Sequence, residues 1–74
     1  MELRAEMAAN VWKVLACEGQ QVSDGDTLVI LESIVGDLPM VAEGDGVVNI
    51  LAVAEGDAVQ KGDLLVVLLQ WARS

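Results

Sequence analysis

The chain has 74 residues, 54% of them hydrophobic, and its only aromatic residues are Trp12 and Trp71; that length supports one small core, burying roughly 60% of the unfolded surface and built from aliphatic side chains rather than rings. Twelve Asp and Glu against four Lys and Arg give a net charge of −8, which repels phosphate backbones and anionic headgroups and so excludes nucleic acid and membrane surfaces as partners. No histidine and a single cysteine, Cys17, leave no imidazole base for Ser-His or Cys-His catalysis, no intramolecular disulfide and no multi-cysteine metal site.

From the N-terminus onward, apolar stretches punctuated by Gly and Asp predict strands over 2–8, 10–16, 21–23, 26–33, 38–43, 46–54, 57–60 and 63–70, with no helix. Segment 1–10 carries Glu2, Arg4 and Glu6 and lacks the apolar centre of a targeting segment, and the longest apolar run, 64–69, is far too short to span a bilayer. A soluble, cytoplasmic monomer with a structural Cys17 thiol is therefore expected. Segments 27–31 and 64–69 are apolar at nearly every position, which predicts strands covered on both faces by packed sheets, with Val14, Leu28, Ile30, Leu65 and Val67 largely buried.

An internal repeat organises these elements. Glu18-Gly19-x-x-Val22-x-x-Gly25-Asp26-x-Leu28-Val29-x-Leu31 recurs 37 residues later as Glu55-Gly56-x-x-Val59-x-x-Gly62-Asp63-x-Leu65-Val66-x-Leu68, and 11 of the 27 positions in 5–31 match those in 42–68. Two copies are too few for a solenoid, and neither shows helical spacing. The pattern predicts one domain, 1–74, all-β and antiparallel, made of two pseudo-symmetric four-stranded halves.

Several residues invite a functional reading and receive a plainer one. Lys13, beside Trp12, and Lys61, in Gln60-Lys61-Gly62-Asp63, are the only lysines and read as solubilising side chains. Asp24-Gly25-Asp26 and Glu43-Gly44-Asp45-Gly46 are acidic, but no twelve-residue loop closed by a bidentate Glu follows, so they read as turns and no metal site is expected. Trp71 reads as part of a partly packed tail.

The residues with the most to say are 32–40, Glu-Ser-Ile-Val-Gly-Asp-Leu-Pro-Met. Together with Asn10-Val11-Trp12-Lys13-Val14 and the two Glu-Gly and Gly-Asp blocks, they resemble the biotin/lipoyl attachment domains, whose hairpin reads Glu-Ala/Ser-Met-Lys-Met-Glu-Ile-Pro. The likeness covers 5–69 and implies a flattened antiparallel β-barrel or sandwich, a barrel-sandwich hybrid. Glu32, Ser33, Asp37, Leu38 and Pro39 agree with the family's hairpin; Ile34 and Gly36 stand where it has methionines, and Val35 stands where it has the acceptor lysine. Biotin and lipoate are both joined through an amide on that lysine, and valine has no amine.

The resemblance thus implies a non-catalytic carrier-type domain of a biotin-dependent carboxylase or a relative, with carboxylase subunits or a biotin ligase as partners. The family cofactor would be biotin ahead of lipoate, and none is held in this form. Such a tip belongs either to a paralogue that has lost the modification or to a deliberate redesign. The alternative is a structural or protein-interaction module that reuses the scaffold. The tip has its own mechanical problem, because Ile34-Val35 is a β-branched pair unsuited to a type I′ turn, which needs φ > 0 at both central positions. Gly36 offers an escape in which the turn recentres on Val35-Gly36 and the flanking strands shift register or gain a bulge.

Overall fold

The computed structural model describes residues 1–70; the packing expected of Trp71 lies outside the described residues. Eight strands follow the predicted order: β1 (Glu2–Arg4), β2 (Ala9–Val14), β3 (Gln21–Val22), β4 (Thr27–Ser33), β5 (Gly36–Val41), β6 (Gly46–Leu51), β7 (Ala58–Val59) and β8 (Leu64–Gln70). They form two four-stranded antiparallel sheets, β1-β8-β6-β3 and β5-β4-β2-β7, with no helix among the described residues. Each sheet takes two strands from each half of the chain. The halves interlock instead of standing side by side as two sheets.

The identities shared by the two copies are the residues that make this interlock. The Gly19 N–H donates to the Val48 carbonyl at 2.7 Å, and 37 residues on the Gly56 N–H donates to the Val11 carbonyl at 2.8 Å. The Gly25 and Gly62 N–H groups donate to the carbonyls of Ala42 and Ala5, both at 2.8 Å. Glu18 accepts the Leu51 N–H at 3.1 Å while Glu55 accepts the Val14 N–H at 3.0 Å. Asp26 and Asp63 brace their own turns, accepting the Ser23 and Gln60 N–H groups at 2.9 and 2.8 Å. Gly25 and Gly62 have φ of 88° and 91°, a left-handed conformation that a Cβ would strain. The chain's start obeys the same rule: Met1 exchanges backbone bonds with Leu68, as Leu38 faces Leu31 in the other sheet.

The core lies between the sheets, where Val11, Leu28, Val29, Leu31, Val48, Leu65, Val66 and Leu68 are all but sealed from solvent. Leu28 and Leu65 are buried as expected, but Val14, Ile30 and Val67 are only half-buried. For Ile30 and Val67 the reason is a slip in register. Pairing of β4 with β5 passes from Thr27 to Val29, and pairing of β8 with β1 passes from Leu64 to Val66. The skipped residues, Leu28 and Leu65, are bulges, and a bulge turns two successive side chains to one face. Val29 and Val66 therefore point inward and Ile30 and Val67 outward.

Cover on both faces also fails as an expectation for β8. On the outer face of the β1-β8-β6-β3 sheet, Val47 faces Leu69 and Ile50 faces Val67 across neighbouring strands, and Ile50 and Leu69 are 43% and 52% exposed. The positions 37 residues earlier are Asn10, Glu32, Lys13 and Ile30. Cys17 is exposed, so its thiol fills no core position, against the expected structural role. Its backbone N–H is held by the Gln20 side chain at 3.0 Å.

Candidate functional site

The hairpin between β4 and β5 carries residues 32–37 at its tip. Ser33 faces Gly36, Glu32 faces Asp37 and Leu31 faces Leu38, which leaves Ile34 and Val35 as the two central turn residues. The turn has not recentred on Val35-Gly36, and the pairing from Ile30 to Gly36 runs without a shift. Ile34 and Val35 both keep negative φ, while Gly36 takes φ = 116°. A mirror-image I′ turn is thereby avoided, and the glycine just after the two β-branched residues absorbs the positive φ that they cannot.

The Ser33 side chain locks this arrangement. Its hydroxyl accepts the Val35 N–H at 3.2 Å and donates to the Gly36 carbonyl at 3.1 Å. The result is a braced turn carrying an apolar knob: Ile34 is 100% exposed and Val35 69% exposed.

Glu32 and Asp37 sit directly opposite each other, like charges in a cross-strand pair, which is unfavourable. Both are exposed, and neither has an ion-pair or hydrogen-bond partner among the described residues. Neither lysine belongs to the hairpin. Lys13 lies on β2 with its ammonium 5.6 Å from the Trp12 ring centroid, and Lys61 lies in the turn between β7 and β8. The acidic loops are built as turns: Asp45 accepts the Asp24 N–H at 3.0 Å, and Asp26 accepts that of Ser23.

Beside the tip runs a groove of about 340 Å³, bordered by Ala9, Asn10, Glu32, Ile34, Ala58 and Val59. Sequence reasoning missed it. The signal was faint: small residues at Ala8-Ala9 and at Ala58, which come together only because β2 pairs with β7 through Ala9 and Val59.

The family model for biotin/lipoyl domains, described as "Biotin-requiring enzyme", matches residues 2–68. The chain belongs to the biotin/lipoyl attachment family. It is 42% identical over 67 residues to the biotinylated protein TB7.3 homolog of Mycobacterium leprae, covering 90% of this chain and 94% of that protein. It is 40% identical over 68 residues to a biotin/lipoyl attachment protein of Bacillus subtilis, covering 92% and 93%. Among solved structures, a single-chain, multi-domain long-chain acyl-CoA carboxylase superposes with a TM-score of 0.88 at 31% identity, over 96% of this chain. The attachment domain spans 7% of that carboxylase chain. Both protein relatives are named for cofactor attachment, the work of a carrier rather than a catalyst.

Proposed function

We propose that this chain is a carboxyl-carrier-type domain of a biotin-dependent carboxylase or a relative, in a form that takes no cofactor because Val35 occupies the acceptor position. The observation that carries the reading is the residue at the second central position of the braced tip turn, a valine. Ligation needs an amine there, and Lys13 and Lys61 stand on other elements. Glu32, Ser33, Ile34, Gly36 and Asp37 are the flanking residues that a biotin ligase would read. The chain acts as one domain over 1–74, monomeric, non-catalytic and cytoplasmic, with carboxylase subunits as its partners. A second reading, a protein-interaction module on the same scaffold, is favoured by one observation, the fully exposed Ile34.

Co-expression with biotin ligase and biotin tests this by intact mass. The chain should keep its unmodified mass, and a gain of one biotin mapped to Lys13 or Lys61 overturns the reading. Val35→Lys should permit slow biotinylation at position 35, and adding Ile34→Met should speed it. Restoring the second methionine is a poorer choice, since Gly36 at φ = 116° makes Gly36→Met cost on the order of 1–3 kcal/mol of backbone strain. No incorporation by the folded Val35→Lys/Ile34→Met protein would sink the disabled-carrier reading in favour of the interaction module.

A further inference from the structure

We propose that the tip and its groove form a docking surface for a basic, apolar segment of another protein. An arginine of the partner bridges Glu32 and Asp37 while aliphatic side chains cover Ile34 and Val35. The proposal rests on the unmodified tip described above and names the chemistry of what that tip would bind.

Charge complementarity selects the occupant. Glu32 and Asp37 face each other with no cation among the described residues engaging them. A guanidinium presents a planar fork of donors that two neighbouring carboxylates can share, and it relieves their repulsion on arrival. A second copy of this chain would bring a further charge of −8 to the contact and is disfavoured by the same rule.

The apolar half of the surface is just as specific in its placement. Ile34 and Val35 contribute nothing to the core, and the Ser33 hydroxyl holds their turn before any partner arrives, so little ordering is left for binding to impose. Next to the knob, Ala9, Ala58 and Val59 leave room for one long side chain, with Asn10 and Glu32 as the polar wall.

The fold does not require any of this. At the pseudo-symmetric end Leu69 replaces Glu32, and the Gln70 side-chain amide donates to the Glu43 carbonyl at 3.2 Å. The acid pair, the knob and their groove occur together at the tip hairpin.

The probe is an end-blocked pentapeptide of alternating leucine and arginine, titrated into isotopically labelled chain of verified unmodified mass and followed by amide chemical shifts. Saturable shifts should gather on residues 32–37, Asn10 and Ala58. The same peptide with glutamate for arginine should produce none. Glu32→Gln/Asp37→Asn and, separately, Ile34→Ser should each weaken binding about tenfold, as loss of a charge pair or of an apolar anchor does. Shifts spread over the turns at Asp24, Glu43 and Asp63 would mean diffuse charge attraction, and shifts on Val47, Ile50 and Leu69 would mean that the outer sheet face is the binding surface. Either result overturns the proposal, as does the absence of saturable shifts or equal binding by the variants. Because the mass is established first, such a failure leaves the carrier reading untouched, whereas a biotin found on the chain sinks that reading instead.

Discussion

At Glu18 and Glu55 the two copies of the repeat do the same thing to each other, each carboxylate holding a backbone N–H in the opposite copy. At the ends of β4 and β8 the copies part: one runs into the Ile34-Val35 turn, and the other carries Leu69 and a Gln70 bonded to Glu43. The outer faces part too, polar at Asn10, Lys13 and Glu32, apolar at Val47, Ile50 and Leu69. Residues shared between copies mostly close the sheets or fill the core. Residues that differ mostly face outward, where the fold makes no demand and a partner can.

If that division is right, substitutions at equivalent positions should cost alike in the shared set and unlike outside it. The largest effect belongs to the core bulges. Leu28→Ala and Leu65→Ala, each removing a side chain with 1% or less of its surface exposed, should each cost about 2–5 kcal/mol in urea denaturation, a large share of a small domain's stability. A cost at one leucine but not at the other would break the symmetry.

An intermediate effect is expected at an unlike pair. Gly46 is the counterpart of Ala9, and it has no left-handed φ to protect; what it lacks is room, since an added Cβ would meet the Leu69 carbonyl oxygen and lie 3.1 Å from the Gln70 Cα. Gly46→Ala should cost about 1–3 kcal/mol by overpacking, whereas Ala9→Gly should cost less than about 1 kcal/mol. Equal costs would show that the two strand starts are equivalent after all. The smallest effect tests the reciprocal caps: Glu18→Ala and Glu55→Ala should each lose about 0.5–1.5 kcal/mol, matching each other within error.

Much of this was legible in the sequence. The Glu-Gly and Gly-Asp blocks located the turns, and their recurrence after 37 residues forecast the two-fold arrangement of eight strands. The run 32–40 located the tip. What could not be read was anything set by register. The unbroken apolar run assigned Ile30 and Val67 to the core along with their neighbours, because nothing in Thr27-Leu28-Val29-Ile30-Leu31 marks Leu28 as the residue the partner strand skips. The same limit applied at the tip, where Gly36 could serve either as a central turn residue or as the position after it. The choice depends on whether Ser33 finds Gly36 across the hairpin, and that is a matter of pairing rather than of local preference. The groove needed β2 and β7 to meet before its small residues had any meaning.

The exchange of caps between copies also governs when structure can appear. The strand ends of the first copy are tied off by Gly56 and Glu55, and those of the second by Gly19 and Glu18, so although β2, β4 and β5 pair within 1–41, the caps that close either copy lie dozens of residues away along the chain. The expected consequence is all-or-none folding on the millisecond-to-second scale typical of non-local β pairing, with an isolated 1–41 peptide giving a random-coil circular dichroism spectrum. During synthesis the first copy then has no stable form of its own, and it must wait unfolded until β8 has emerged to close it.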